Sequence, residues 1–286
     1  MDEFTAVLRA RELVKRAKVA SISFQVESYF EALGNCTLKV AQDLPADEPG
    51  YSARVADKDF IIVNAKDRAE RRRFTACHEL AHIVLDLPSE HTANPCWSYA
   101  SRPPNEIYCD VFAAELLLPY PLFKPVADAS IIGFAALDQI ARDFQASVTA
   151  TGSRFAAAVD MPCAFVISER GKVRYASRSK ALREAGAWIA PGMIVPLSSS
   201  SRTAQFSQGE GPVEVAADIW FSDWKRVGAL LEESRHLARW DQILTLLWFE
   251  DEEVPQEDET EGGDDADTAL KELDGNLPWP GKKRRR

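Results

Sequence analysis

The amino-acid sequence predicts an α+β protein, with helices and short strands in separate stretches of the chain. Apolar residues recur at helical spacing over residues 5–33 and again over residues 134–158. Short segments rich in branched residues, which are typical of strands, occur before residue 65 and after residue 162. At 286 residues the chain is long enough for two or three modules.

The N-terminal part of the chain is predicted to contain helices, short strands and then one longer helix. These elements are two helices within residues 5–33 and strands at residues 38–40 and 59–64. Asn64 is a good N-cap for a helix over residues 66–87, because its side chain can accept a hydrogen bond from the first turn. Pro88 ends this helix.

The predicted helix 66–87 contains an H-E-x-x-H motif, formed by His78, Glu79 and His82. Two histidines four residues apart lie on one face of a helix, so both imidazoles can bind a single zinc ion. Glu79 follows the first histidine and can act as general base toward a water molecule. The motif therefore predicts a zinc hydrolase with Glu79 as its catalytic residue.

A catalytic zinc site needs a third protein ligand, and a second predicted helix, residues 105–118, offers candidates. Glu106 and Asp110 are four residues apart and share a face, while Cys109 and Glu115 are alternative ligands. We favour Glu106, because a carboxylate leaves zinc more electrophilic than a thiolate does. The arrangement resembles the gluzincin pattern of thermolysin-like peptidases. That resemblance implies that Glu106 binds zinc and that Asp110 hydrogen-bonds His78.

Residues 134–158 are predicted to form a pair of helices with a polar turn, which resembles a helix-turn-helix. The helix that would read DNA contains a single basic side chain, Arg154. We therefore favour a structural or protein-binding role for this segment over DNA reading.

The chain after residue 162 is predicted to form a small α/β module. Its expected elements are a hairpin around residues 170–171, a strand at 213–221, a helix at 225–238 and an apolar segment at 243–249. Four tryptophans in this region are expected in a core or pocket rather than in a nucleic-acid platform: Trp220, Trp224, Trp240 and Trp248.

Charge, cysteine content and apolar runs favour a cytoplasmic protein. Residues 250–286 carry thirteen acidic and six basic side chains, and this segment, which ends in a basic cluster, is expected to be disordered. The rest of the chain has a net charge of only −3, which gives no electrostatic case for nonspecific DNA binding. The N-terminus does not look like a secretory signal, and the apolar runs are too short to span a membrane. The five cysteines have no paired spacing and are expected as reduced thiols: Cys36, Cys77, Cys96, Cys109 and Cys163.

Two blocks of the sequence resemble the ImmA/IrrE family of metallo-endopeptidases. Residues 73–82, R-F-T-A-C-H-E-L-A-H, are similar to the family block R-F-T-x-A-H-E-x-x-H. Residues 106–119 are similar to the family block E-x-x-A-N-x-F-A-A-x-L-L-M-P. The departures are Cys77 and Cys109 in place of alanine and Asp110 in place of asparagine. None of these departures removes a metal ligand.

The resemblance implies a domain organisation. It assigns residues 1–125 to a zincin-like peptidase domain with a short β-sheet and residues 126–160 to the helix-turn-helix-like segment. Residues 161–249 are compatible with a GAF-like sensor domain, and residues 250–286 form the tail.

The resemblance also implies a function: a cytoplasmic zinc endopeptidase that cleaves a helix-turn-helix transcriptional repressor, relieving repression in a stress response or in mobile-element control. We expect the strand at 59–64 to receive the substrate as an added strand. The sequence does not identify the residue that would stabilise the oxyanion; His91, Tyr99 and Arg102 are candidates in the loop after residue 88. The alternative is a DNA-binding or protein-binding regulator with a structural metal site. The sequence predicts no oligomeric state.

Overall fold

A computed structural model describes residues 1–89, 103–202, 204, 211–222, 224–226, 228–250 and 254–255. Within these residues the chain forms eight α-helices and two β-sheets, which confirms the predicted α+β class. The helices are α1 (Glu3–Arg16), α2 (Glu27–Leu33), α3 (Ala69–Leu85), α4 (Pro104–Leu117), α5 (Tyr120–Asp128), α6 (Phe134–Phe144), α7 (Val148–Ala158) and α8 (Lys180–Glu184). The strands are β1 (Cys36–Ala41), β2 (Gly50–Val55), β3 (Lys58–Asn64), β4 (Cys163–Glu169), β5 (Lys172–Arg178), β6 (Val213–Ala216), β7 (Ala229–Leu237) and β8 (Gln242–Trp248).

The N-terminal sheet has three strands in the order β1-β3-β2. Strand β3 pairs in parallel with β1 and antiparallel with β2, and its Ile61 and Val63 side chains are buried. Strands β1 and β3 were predicted from their apolar residues, whereas β2 was not. The β2 sequence, G-Y-S-A-R-V, is largely exposed and lacks a run of branched residues.

Helix α3 begins at Ala69, three residues later than predicted, with Arg68 at the N-cap. The predicted capping role of Asn64 is wrong: its side-chain oxygen accepts a hydrogen bond from the backbone N–H of Lys66, which lies before the helix begins. The Asn64 amide donates hydrogen bonds to the carbonyl oxygens of Pro45 and Glu48, so it fixes the loop that precedes β2. The helix ends at Leu85, and Asp86 takes a left-handed conformation with φ of 53° before Pro88.

Helices α3 and α4 pack against each other, and one continuous core extends from the N-terminal helices to a face of the second sheet. Its largest fully buried aromatic side chains are Tyr29, Phe112, Phe123, Phe134, Phe144, Phe155 and Phe165. This core contains residues on both sides of the predicted boundaries at 125 and 160, so the helical middle segment packs against both the N-terminal part and the second sheet. The predicted domain boundaries stay predictions.

The predicted helix pair 134–158 is confirmed as α6 and α7, and the inner face of α7 is used for packing. Gly152 lies against the ring of Phe165 on β4, so closely that a β-carbon there would overlap the ring. Ser177 on β5 donates a hydrogen bond to the carbonyl oxygen of Ser153. Helix α7 is therefore held on the second sheet, and its Arg154 donates a hydrogen bond to Glu115 of α4.

The second sheet has five antiparallel strands in the order β5-β4-β8-β7-β6. The predicted hairpin between β4 and β5 is confirmed, and Arg170 and Gly171 both take positive φ values, as a tight turn requires. The predicted helix at 225–238 is wrong: strand β7 occupies most of it. Within this strand Glu232 is completely buried and accepts hydrogen bonds from the Ser199 hydroxyl and the Trp220 indole.

The membrane, tail, loop and cysteine predictions can be compared with the structure only in part. Within the described residues no helix is both long and apolar enough to cross a membrane. The predicted disordered tail, apart from residues 250 and 254–255, lies outside the described residues, as do Cys96, His91, Tyr99 and Arg102. The four cysteines that the structure describes are buried and unbridged.

Candidate metal centre

The two histidines of the motif lie one turn apart on α3 and face the same point. Their ring centroids are 5.0 Å apart, and their Nε2 atoms are 3.3 Å apart. Both residues are buried. This geometry follows from the helix, because residues four apart lie one above the other on the same face.

Helix α4 brings Glu106 to the same point. One carboxylate oxygen of Glu106 lies 3.1 Å from the Nε2 of His78, and the other lies 3.6 Å from the Nε2 of His82. Glu106 is in the first turn of α4, where the helix dipole favours a carboxylate. His78, His82 and Glu106 form the one group among the described residues whose ligand atoms are close enough to hold a metal ion, all within 4.8 Å.

The two alternative ligands from sequence are not part of this group. Cys109 is buried, and Glu115 accepts hydrogen bonds from two arginines at the far end of α4. Cys77, the other cysteine beside a candidate ligand, is fully buried, and burial raises the pKa of its thiol to about 12. Cys77 is therefore a protonated core residue at neutral pH, not a thiolate ligand.

The second nitrogen of each histidine also has an acceptor. The Nδ1 of His78 lies 2.9 Å from a carboxylate oxygen of Asp110, and the Nδ1 of His82 lies 3.2 Å from the carbonyl oxygen of Leu87. These contacts place an N–H of each ring on Nδ1, so Nε2 is the atom of each ring that is positioned to bind a metal ion. The sequence predicts the contact of His78 with Asp110 but not that of His82 with Leu87. Every residue has a backbone carbonyl, so its role as an acceptor cannot be recognised from the residue type.

The donor set fits a tetrahedral zinc ion. Zinc bonds to nitrogen and carboxylate oxygen are about 2.0–2.2 Å long, so neighbouring ligands of a tetrahedral ion are about 3.3 Å apart. The three separations measured here, 3.3, 3.1 and 3.6 Å, lie around that value. Three protein donors leave a fourth position for water, as in catalytic rather than structural zinc sites.

The protein charges around the site favour one positive charge on the histidine pair, carried by His78. Burial lowers the pKa of His78, but the hydrogen bonds with Asp110 and Glu106 outweigh it and raise that pKa to about 9. Burial and the neighbouring His78 lower the pKa of His82. The site is therefore built to hold positive charge near the Nε2 atoms, which is also what a metal cation brings.

Glu79 is also buried, one position after His78 on α3. It is not one of the three candidate metal ligands. Its role as general base stays a prediction.

Replacement of Asp110 is expected to weaken metal binding without abolishing it. In Asp110→Ala the His78 ring loses its orienting acceptor, and loss of such a partner typically costs about 10–100-fold in metal affinity. Asp110→Asn keeps an acceptor oxygen and should cost less than about tenfold. Competition against a metal-binding dye measures both affinities. If Asp110→Ala binds metal as tightly as the wild type does, the orienting role is wrong.

Comparison with known proteins gives a family match, a distant relative and a solved structure of similar fold. Residues 41–156 match the family model described as the IrrE N-terminal-like domain, a peptidase family. Over 158 residues, 54% of this chain, the sequence is 22% identical to the radiation response metalloprotease IrrE of Deinococcus radiodurans. The match covers 48% of that protein, so the chain spans about half its length. A solved Mycobacterium tuberculosis transcriptional regulator shares the fold, with a TM-score of 0.55 and 14% identity, over 86% of this chain and 76% of that one.

Proposed function

Because residues 41–156 belong to the IrrE N-terminal-like family of peptidases, we propose that this chain is a zinc-dependent endopeptidase that cleaves a helix-turn-helix transcriptional repressor. The observation that carries the proposal is the convergence of His78, His82 and Glu106, with Glu79 beside them. A structural zinc site would have four protein ligands and would not need a buried carboxylate next to it.

His78, His82 and Glu106 would hold the zinc ion, and Asp110 and Leu87 keep the two imidazoles in the required orientation. When bound, zinc supplies a Lewis acid that polarises a peptide carbonyl and makes a water molecule more acidic. Glu79 takes a proton from the attacking water and delivers it to the leaving amine. Burial excludes bulk water from Glu79, so the proton is not lost to solvent between the two steps.

The expectation that β3 receives the substrate is wrong. Strand β3 is the central strand of its sheet, so both of its edges are already paired. Strand β2 pairs only with β3 among the described strands, and its other edge can accept an added strand. The start of β2 touches the catalytic helix: a β-carbon on Gly50 would come within 2.8 Å of the Thr75 side chain, one turn before His78.

The hydrogen-bond register shows which β2 groups face outward. The backbone N–H of Asn64 donates a 2.9 Å hydrogen bond to the carbonyl oxygen of Pro49. Along two antiparallel strands, facing residues alternate between pairs that are hydrogen-bonded to each other and pairs that are not. Tyr51 and Ile62 therefore form the next bonded pair, and the N–H and C=O of Ser52 point away from β3. We infer that Ser52 offers a donor and an acceptor to a substrate backbone.

Ser52→Pro is expected to reduce peptide cleavage while leaving the sheet intact. Proline removes an N–H that does not bond to β3, and edge strands tolerate proline on the solvent side. Loss of one substrate hydrogen bond should lower kcat/KM roughly tenfold. The matched control, Ser52→Ala, keeps the N–H and should cleave normally. Unchanged kcat/KM in a folded Ser52→Pro protein would show that substrate does not bind at this edge.

Two observations support a repressor as the substrate rather than DNA as the ligand. The sequence resemblance is to proteases that act on helix-turn-helix repressors, and the name of the Deinococcus relative, a radiation response metalloprotease, supports a stress role. Helix α7, the DNA-reading candidate, packs on the second sheet, and its single arginine is engaged by Glu115. The alternative of a DNA-binding regulator therefore lacks a free basic face on the helix that would read DNA, α7.

The test is cleavage and its dependence on metal. We expect about one zinc ion per purified chain and cleavage at one defined site in a helix-turn-helix repressor encoded beside this gene. A chelator should abolish cleavage, and added zinc should restore it. Mass spectrometry of the fragments locates the cut. If zinc-loaded protein retards a promoter fragment but cleaves none of the repressors, the regulator with a structural metal site is the correct function.

A further inference from the structure

A cleft of about 1080 Å³ lies between three parts of the chain, and none of the proposed catalytic or metal-binding residues lines it. Its walls are the first turn of α3, the turn between α6 and α7, and the turn between β7 and β8. These elements come from the peptidase part, the helical middle segment and the C-terminal sheet. The cleft is therefore formed only when all three parts of the chain are folded together.

The cleft is basic in a chain whose net charge is −10. Arg68, Arg142 and Arg239 line it, and all three are exposed. None of the three forms an ion pair with any residue that the structure describes, although Arg142 donates a hydrogen bond to Gln139. Two acidic residues also line the cleft: Asp138, which is paired with Arg235, and the exposed Glu70. With Arg71 the lining has four arginines against these two carboxylates, so its net charge is positive.

The backbone adds to this positive character. The first turns of α3 and α7 both line the cleft, and helix N-termini carry a partial positive charge. The α3 N-cap, Arg68, makes no side-chain cap hydrogen bond, although Glu70 places a carboxylate in that first turn, whereas α7 is capped by the hydroxyl of Ser147. These helix ends reinforce the guanidinium groups and would not make a site without them.

The cleft continues toward the metal centre along one face of α3. Arg71, Phe74, His78 and His82 follow one another at spacings of three, four and four residues, so they share that face. Phe74 lines the cleft, and its ring centroid is 6.0 Å from that of His78. From Arg71 to His78 the helix rises about 10 Å, which an extended peptide covers in about three residues.

We propose that this cleft binds an acidic segment of the protein substrate, about three or more residues from the bond that is cleaved. The inference rests on the proposed peptidase function. Guanidinium groups bind carboxylates through paired N–H donors, and three of them that form no ion pair within the described part of the chain match a segment with several Asp or Glu side chains. Trp240, half exposed between Arg71 and Arg239, offers an apolar surface beside these charges. A single exposed tryptophan fits a peptide better than a nucleic-acid strand, which needs successive stacking rings.

The experiment measures peptide binding by fluorescence anisotropy with the full-length Glu79→Gln protein, so that the readout does not depend on catalysis. The probe is a labelled peptide of about ten residues in which Glu alternates with Gly, and the matched peptide has Gln in place of Glu. The cleft variant is Arg68→Glu with Arg239→Glu. The control variant, Arg16→Glu with Arg170→Glu, makes the same charge change at exposed positions outside the cleft.

We expect the Glu peptide to bind, the Gln peptide not to bind, and the cleft variant to bind the Glu peptide at least tenfold more weakly. The control variant should stay within about twofold of the parent, and added salt should weaken binding. Equal affinity in the cleft and control variants would overturn the proposal, whether or not the protein proves to be a peptidase. Tighter, cleft-dependent binding of a single-stranded oligonucleotide would also overturn it.

The acidic residues 257–261 of this chain are a competing occupant, and one variant separates the two. In the Glu79→Gln background, the four acidic residues of that segment are changed to Gln or Asn. Unchanged affinity for the Glu peptide supports an external partner. An affinity increase of tenfold or more would show that the chain fills its own cleft and would overturn the assignment to substrate.

Discussion

Glu79→Gln should abolish cleavage while leaving the metal in place, and this is the largest effect that the site geometry predicts. Glutamine has nearly the same shape but cannot take the proton of the attacking water. General-base catalysis typically contributes about 10²–10⁴-fold to the rate, and we expect a loss of kcat in that range. The three candidate ligands are unchanged, so the zinc content measured by mass spectrometry should remain that of the wild type.

The matched control is Glu31→Gln, which makes the same chemical change on an exposed helical residue remote from the motif. It should cleave at the wild-type rate. Two results would contradict the role given to Glu79. Full activity in Glu79→Gln would mean that another group accepts the proton. Loss of zinc together with activity would mean that Glu79 acts on the metal site rather than on the reaction.

The position of the metal site could be predicted from sequence because its parts are local. His78 and His82 are related by one helical turn, and so are Glu106 and Asp110, so two short spacings define two faces. The packing of α3 on α4 was the one tertiary contact that had to be assumed. The Leu87 carbonyl could not be predicted, because it reaches His82 only through the left-handed turn at Asp86.

The elements that sequence reasoning missed depend on distant partners. The sequence predicts a helix where strand β7 lies, and Glu232 is buried in that strand. Its carboxylate is satisfied by hydroxyl groups of Ser199 and Ser200 and by the indole of Trp220, twelve or more residues away along the chain. No local sequence pattern identifies a set of hydrogen-bond donors that lie so far apart along the chain. Strand β2 was missed for a similar reason, since its pairing with β3 defines it and its side chains do not.

Glu115 is a second buried carboxylate whose role only the structure reveals. It accepts hydrogen bonds from Arg11 of α1, from Arg154 of α7 and from the backbone N–H of Tyr120. The guanidinium groups of both arginines also lie over the Tyr120 ring, at 5.2 and 5.5 Å from its centroid. Glu115 thus joins α1, α5 and α7 to α4, the helix that carries Glu106.

Glu115→Ala is therefore expected to destabilise the fold strongly. The substitution leaves Arg154, which is mostly buried, without its counter-ion, and removal of one partner of a buried pair costs about 3–5 kcal/mol. Arg11 is 40% exposed and retains water, so Arg11→Ala should cost no more than about 1 kcal/mol. Urea unfolding of the metal-loaded proteins measures both free energies. Because Glu106 and the histidines are untouched, Glu115→Ala protein that remains folded should still bind zinc. Equal losses in the two variants would show that the Arg154 contact contributes nothing beyond the surface pair.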